Sequence, residues 1–408
     1  MGATVSVRGA VPLIISAGVI ISLCMGIRQS LGLFLSPIGA DLGVSATTFG
    51  FALAVQNLVW GLTQPFVGAA GDRYGARPVL IGAAGVYAAG LLLMALAPQV
   101  WLGLGLGGGV LIGLGVAGTG FGVLLGAVSA AVPPERRSWA VGVVAGAGSL
   151  GTMVIAPFGQ AVIGAFSWQV ALLCFAGLAV VMGAVGATVR SGPRQVAAGN
   201  AARDQTVREA LGEAVSHTGY VAMTVAFFAC GFQLVFITVH LPKYLAICGL
   251  APSVGAWSLA LIGVFNAVGS YTFGALGTRY DKSKLLAGIY LVRTSAIAVF
   301  LLLPVSPATT LVFASVMGFF WLGVAPLVSG LIGGMFGMRH FNMLYGVVFL
   351  GHQVGSFAGA WMGGAVLDIT GSYGLAWGAL IVIGLIATAL QWPMDTRPMR
   401  RMGEAVEA

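Results

Sequence analysis

Two arginines lie inside long apolar segments, where an unpaired charge is costly. Arg28 occurs in the first such segment and Arg293 in the ninth, and no aspartate or glutamate lies clearly within any of the segments. A guanidinium stays charged at all ordinary pH values, so at membrane depth it needs a partner of opposite charge. A bound carboxylate would accept two parallel hydrogen bonds from it. The sequence therefore predicts a site for a small organic anion.

The elements that position these arginines are apolar helices. Of the 408 residues, 58% are hydrophobic and only 7% are charged, which excludes an ordinary soluble globular protein. Runs of about 20 apolar residues, each long enough to cross a bilayer, recur along the whole chain. We predict an all-α integral membrane protein with twelve transmembrane helices, over 11–36, 46–69, 78–96, 101–130, 139–164, 169–189, 219–241, 254–276, 285–303, 309–334, 343–366 and 373–392.

The distribution of positive charge predicts the orientation in the membrane. If the N-terminus is inside, all of the 19 basic residues except Arg28, Lys243 and Arg293 fall in cytoplasmic segments. This positive-inside asymmetry places both termini in the cytoplasm. It also explains the net charge of +8 without nucleic acid as a partner. We expect a multi-pass protein of the cell's inner membrane, surrounded by lipid and monomeric.

A charged hairpin appears twice and divides the chain into two related halves. The run G-A-A-G-D-R-Y-G-A-R at 68–77 has a weaker copy in the second half of the chain. The matching pairs are Gly68 with Gly274, Gly71 with Gly277, Arg73 with Arg279, and Tyr74 with Tyr280. We predict a six-helix half over 1–190, a cytoplasmic linker over 191–218 with a short amphipathic helix, a second six-helix half over 219–393, and a cytoplasmic tail over 394–408. Internal repeats of this kind characterise secondary transporters.

The hairpin at 68–77 resembles the signature loop of the major facilitator superfamily. The runs H-Q-V-G-S-F-A-G-A-W at 352–361 and D-I-T-G-S-Y at 368–373 resemble the monocarboxylate-transporter and oxalate/formate-antiporter branch of that family. The resemblance implies the major facilitator fold, with a substrate site between the halves and alternating access to it. It also implies a conformational latch, formed by Gly68, Asp72, Arg73, Gly75 and Arg77.

Polar residues within the spans are the predicted substrate ligands: Arg28, Gln29, Asn57, Gln233, Asn266, Trp321, His352 and Gln353. The branch usually places an arginine on helix eight or a lysine on helix eleven, where this chain has Asn266 and His352. Alternatives stay open for two of these ligands and for Arg293. Arg28 could extend to the outer interface, His352 could bond to a helix carbonyl, and Arg293, a candidate charge partner, could be purely structural.

The sequence predicts a secondary transporter of a small organic anion, with a monocarboxylate as the expected class, working by proton symport or anion exchange. One alternative is a multidrug or metabolite exporter of the same fold, and a more distant one is a membrane sensor that does not transport. No nucleophile–base set and no metal-ligand spacing is visible, and the four cysteines have no paired spacing. We therefore expect no enzymatic activity, no cofactor and no metal.

Overall fold

The computed structural model describes residues 7–97, 99–132, 137–189, 206–337 and 340–399, and this part of the chain is nearly all helical. A 3₁₀ turn, Leu31–Phe34, follows the first helix, and a π-helical segment, Trp101–Leu111, precedes the fifth. The α-helices are α1 (Val7–Ser30), α2 (Leu35–Leu42), α3 (Ala46–Tyr74), α4 (Ala76–Leu96), α5 (Ile112–Thr119), α6 (Phe121–Ala131), α7 (Arg137–Ala165), α8 (Trp168–Thr188), α9 (Val207–Ser216), α10 (Thr218–Ile247), α11 (Pro252–Leu276), α12 (Lys282–Leu302), α13 (Pro307–Phe319), α14 (Val324–Phe336), α15 (Phe341–Thr370) and α16 (Gly374–Gln391).

Ten helical stretches in the described part of the chain are long and apolar enough to cross a membrane. The long helices α3 and α15 are not among these ten, and they pack against each other. Both carry buried amide or imidazole side chains, such as Asn57 on α3 and His352 on α15. A helix shielded from lipid along one face can carry such groups there. With α3 and α15, the bundle has the twelve long helical stretches expected of two six-helix repeats.

Three of the predicted spans are interrupted, which their apolar composition did not reveal. The first contains the 3₁₀ turn, the fourth breaks at Gly120, and the tenth breaks between α13 and α14. At the last break, the Leu322 N–H donates to Asn266 Oδ1 at 2.9 Å. Non-helical backbone at membrane depth requires a partner of this kind, because lipid offers none.

The linker and the tail are described only in part. Residues 190–205 and 400–408 lie outside the described ranges, so the predicted boundaries of the four segments stay predictions. Within the linker, α9 begins with a capping box in which Thr206 and Glu209 bond each other's backbone. The C-terminal segment returns to this linker, since the Arg397 carbonyl lies 3.1 Å from His217 Nε2. The end of the bundle that contains α9 and this contact is called the terminal end.

The two halves meet along α3 and α15, and their separation changes along the bundle. A Cβ built on Gly50 would collide with the Ala360 carbonyl, and one built on Gly61 would lie 2.7 Å from Gln353 Cγ. Seven residues further along α3 from Gly61 lies Gly68, and seven residues back along α15 from Gln353 lies Gly346, so both occupy equivalent positions on the same two faces. A Cβ on either of these would meet nothing within 4 Å. The halves therefore touch from mid-bundle to the far end, which we call the sealed end, and diverge towards the terminal end.

Candidate functional site

Arg28 lies in the last turn of α1, at mid-bundle between the halves. Two glycines beside it let α1 approach its neighbours, because a Cβ on Gly26 would collide with α7 and a Cβ on Gly32 with the Thr238 carbonyl of α10. The Arg28 Nη2 donates to Asn57 Oδ1 at 2.6 Å, and the guanidinium carbon lies 4.8 Å from the centre of the Trp60 ring. Its Nε is buried without a hydrogen-bond partner.

A small cavity adjoins this guanidinium and contains three of the predicted ligands. Its lining is shared by the two halves and consists of Arg28, Gln29, Gly32, Leu53, Gln56, Asn57, Val235, Thr238 and Val239. The cavity measures about 10 Å³, which is room for about one water molecule. In this conformation the cavity beside Arg28 has no room for an organic acid.

A chain of hydrogen bonds connects Arg28 to His352 across the two halves. The side chain of Asn57 accepts a hydrogen bond from Arg28. The backbone carbonyl of Asn57 accepts another from Gln353 Nε2 at 2.7 Å. The Gln353 Oε1 then lies 3.0 Å from His352 Nδ1. The structure thus joins four of the predicted ligands into one network, although their separation along the sequence reaches more than three hundred residues.

The same network determines the tautomer of His352. A backbone carbonyl can only accept, so Gln353 must present its NH₂ group to Asn57 and its oxygen to His352. The His352 Nδ1 therefore carries the proton and donates it, which leaves Nε2 as the acceptor. Aromatic rings pack on the imidazole, with Phe349 stacked at 5.8 Å and Phe227 tilted at 5.0 Å between centroids.

Trp60 and Phe349 belong to this site but were not predicted from the sequence. Their rings meet edge to face, with centroids 5.3 Å apart, where α3 crosses α15. A signal was available, since Trp60 follows Asn57 by three residues and Phe349 precedes His352 by three. Residues three apart share a helix face. The apolar character of both rings concealed them among ordinary packing residues.

Three other predicted ligands do not line the cavity beside Arg28. Asn266 donates to Ser149 Oγ at 2.8 Å, and its oxygen accepts from Leu322 N–H, so it ties α11 to α7 and to the break after α13. Gln233 faces α16 and donates to the Leu380 carbonyl at 3.0 Å. Trp321 is buried within the same break. Substrate binding by these residues stays a prediction.

The predicted latch lies at the terminal end, in the turn between α3 and α4. Gly75 alone joins the two helices, with a φ of +85° that favours glycine over residues with a Cβ. The Arg73 guanidinium lies 5.2 Å from the Tyr74 ring, and Arg77 is exposed. The side chain of Asp72 lies outside the described residues.

Metal ligation finds no support in the described ranges, where no group of three or more His, Cys, Asp or Glu side chains could hold an ion. The site is instead built from a guanidinium, amides, an imidazole and aromatic rings. Such a set can bind an anion and accept a proton.

Comparison with known proteins identifies the family. The profile of the Major Facilitator Superfamily matches residues 17–321, about three quarters of the chain. The chain belongs to this superfamily. It is a multi-pass membrane transporter and not an enzyme.

Similar sequences and structures agree with this placement. Monocarboxylate transporter 13 of Rattus norvegicus is 26% identical over 361 residues, which cover 86% of this chain and 81% of the relative. The uncharacterized MFS-type transporter YfhI of Bacillus subtilis is 23% identical and is matched over 85% of both chains. The crystal structure of a bacterial homologue of the human lysosomal transporter Spinster, described as inward-facing and unoccupied, has a TM-score of 0.70 at 14% identity, over 93% of both chains. At this identity it shows the fold alone.

Proposed function

We propose that this transporter moves a small organic anion, with a monocarboxylate as the expected class, by alternating access to Arg28. The observation that carries the proposal is a permanent positive charge at mid-bundle whose hydrogen-bond partner is a neutral amide, Asn57. Binding energy at such a site favours an anion, because the guanidinium is already partly removed from water. Relatives whose names describe monocarboxylate transporters support the same substrate class.

The free hydrogen-bonding capacity of Arg28 suggests how the carboxylate is held. Its Nε has no partner, and a carboxylate can bridge Nε and one terminal nitrogen with two parallel bonds. Trp60 would cover one face of the guanidinium, which limits the directions from which a substrate can approach. Since the cavity is small in this conformation, a substrate would enter by moving α3 and α15 apart.

Proton coupling would use His352. No carboxylate contributes to the network from Arg28 to His352, so a relay between acidic residues cannot be built there. The unprotonated Nε2 of His352 can accept the proton of an arriving carboxylic acid. This transfer gives an imidazolium, which is hydrogen-bonded through Gln353 and Asn57 towards Arg28, and a carboxylate, which Arg28 can bind. Exchange of one anion for another needs no proton and uses the same site. We propose these as the two coupling modes.

We further propose that the terminal end is cytoplasmic, as the positive-inside pattern predicts. The sealed end then faces outward and the diverging end faces the cytoplasm, so the conformation described here is inward-facing. Relatives from Bacillus subtilis and Escherichia coli support a bacterial inner membrane as the location. The hairpin around Asp72 would latch the opposite, outward-facing state, in which Gly68 and Gly346 come together.

One observation favours the exporter alternative. A cleft of about 370 Å³ lies between α1 and α7, and all of its lining residues except Ser22 are apolar. The lining consists of Ile14, Ile15, Gly18, Val19, Ser22, Leu23, Val143 and Ala147. A cleft of this size and character would suit a bulky apolar compound.

Counterflow in proteoliposomes tests the proposal. Wild type and Arg28→Gln would be loaded with unlabelled acid and assayed with labelled acetate, lactate, pyruvate, oxalate and formate, beside a neutral sugar and a lipophilic cation. We expect the wild type to exchange at least one acid and Arg28→Gln to exchange none. Arg208→Gln removes an equal charge from an exposed position on α9 and should behave as wild type.

Two results would contradict this proposal. The first is transport of the acids by Arg28→Gln at the wild-type rate. The second is movement of the cation by both proteins without exchange of any acid, which would favour the exporter.

A further inference from the structure

The second intramembrane arginine, Arg293, is enclosed within the C-terminal half. Its side chain is 0% exposed, and it extends from α12 towards α10. The Nη1 lies 3.4 Å from the Cys230 sulfur, and the guanidinium carbon lies 5.8 Å from the centre of the Tyr290 ring. The Nε and Nη2 are both buried without a hydrogen-bond partner.

The groups around Arg293 are donors or neutral, and none supplies a counter-charge. None of the ion pairs among the described residues involves Arg293. The described partners of the guanidinium are the Cys230 sulfur on α10 and the Tyr290 ring on α12, and both are neutral. Tyrosine hydroxyls and thiols can donate a hydrogen bond, as the guanidinium does. The cluster therefore combines a positive charge with several donors.

An enclosed guanidinium with two unpartnered nitrogens, which carry three N–H groups, is unfavourable unless something neutralises it. Removing one partner of a buried charge pair is strongly destabilising, because the remaining charge is left without compensation. Apolar helix packing cannot supply that compensation, and a neutral thiol supplies little. An acceptor with a negative charge would meet both the charge and the unused donors.

We propose that Arg293 is the centre of a second anion site, which holds a small monovalent anion beside the contact between Arg293 on α12 and Cys230 on α10. Because the guanidinium has no exposed surface, the anion must be compact. We assign chloride as the occupant. Formate, the smallest carboxylate, is also a compact monovalent anion. The site is separate from the one at Arg28, and this inference does not depend on the substrate proposed there.

The test is anion-dependent thermal stability of the purified protein in detergent. The unfolding midpoint would be measured as sodium gluconate is replaced by sodium chloride, bromide or formate at constant ionic strength. Anions that bind the folded state raise the midpoint and the effect saturates. We expect a saturable rise with chloride and bromide for wild type, loss of that rise in Arg293→Gln, and its retention in Arg28→Gln. A rise with formate alone would identify a carboxylate site and overturn the assignment to chloride.

Two further results would overturn the second site. One is a wild-type midpoint that does not respond to any of the three anions. The other is a response that survives in Arg293→Gln or disappears only in Arg28→Gln, which would assign the anion to the transport site. If Arg293→Gln does not fold, bromide anomalous scattering from wild-type crystals decides instead. A peak within hydrogen-bonding distance of the Arg293 guanidinium supports the proposal, and a peak only elsewhere, or none, refutes it.

Discussion

Asp368 fastens the two halves together at the sealed end. This residue lies near the end of α15, and its carboxylate accepts from Ala46 N–H at 3.2 Å and from Thr47 N–H at 2.7 Å at the start of α3. The carboxylate of one half thus binds the positive end of a helix in the other. Ser45 caps the same helix by accepting from Thr48 N–H, a bond that Asp368 does not make. Loss of Asp368 should therefore weaken the contact between the halves and leave α3 intact.

The magnitude follows from two terms. An acid at an exposed helix N-terminus contributes about 0.3–1 kcal/mol, and loss of a capping acceptor costs typically about 1 kcal/mol. Asp368→Ala should then remove roughly 1–2 kcal/mol from the sealed state, which shifts the ratio of sealed to open conformers about 5- to 30-fold. Asp368→Asn keeps one acceptor oxygen and loses the charge, so its shift should be smaller.

Distance measurement between spin labels tests this expectation. Leu42 and Leu375 are exposed positions at the sealed end, one in each half, and are suitable for labelling in a cysteine-free background. Asp368→Ala should raise the fraction of long distances in nanodiscs. Asp41→Asn is the matched control, because Asp41 binds Trp168 and Gln169 within its own half. An unchanged distribution in Asp368→Ala, or an equal shift in the control, would refute the argument.

Three other changes have defined expected outcomes. Gln353→Leu removes the hydrogen bond to the Asn57 carbonyl, so counterflow should slow at least tenfold while the midpoint of thermal unfolding changes little. Unchanged counterflow would show that the network from Arg28 to His352 has no role in transport. Gly68→Val leaves the present conformation unstrained, since no atom lies within 4 Å of the added Cβ, but the valine should block the approach of α3 to Gly346 on α15. Spin labels should then show a smaller outward-facing population, and turnover at the wild-type rate would contradict this. Asp281 caps α12, and the hydrogen bond from the Ser283 hydroxyl lowers the pKa of the Asp281 carboxyl. The stabilisation from this cap is therefore present above about pH 4 and declines as the pH falls. Asp281→Ala should lower stability at pH 7 by about 1 kcal/mol and weaken the decrease of the melting temperature in acid, and an unchanged decrease would exclude the cap.

Much of the fold is determined by local composition. Apolar runs of spanning length, the glycine-rich hairpin at 68–77 and its copy at Gly274 define helices and repeats without reference to distant contacts. The structure added the interruptions at Gly120 and after α13. The interruption after α13 has a distant partner, since the Leu322 N–H donates to Asn266, and hydropathy along one segment contains no information about such partners.

A polar group inside an apolar segment is conspicuous wherever it falls, and Arg28, Asn57, Gln353 and His352 are predicted ligands for that reason. The structure joins them by hydrogen bonds, while their binding of substrate stays a prediction. Their connection could not be predicted, since it depends on how α3 and α15 align. The same limit applied to Gln233, which is equally conspicuous in the sequence but faces α16.

Composition and residue order are enough to predict a twelve-helix transporter with two arginines at membrane depth, because burial of charge is costly. The folded structure places Arg28 between the halves and encloses Arg293 within one of them. This difference arises because helix rotation sets the direction of each side chain. That rotation is fixed by packing against neighbours distant in the chain, as where Gly32 of the first half meets Thr238 of the second.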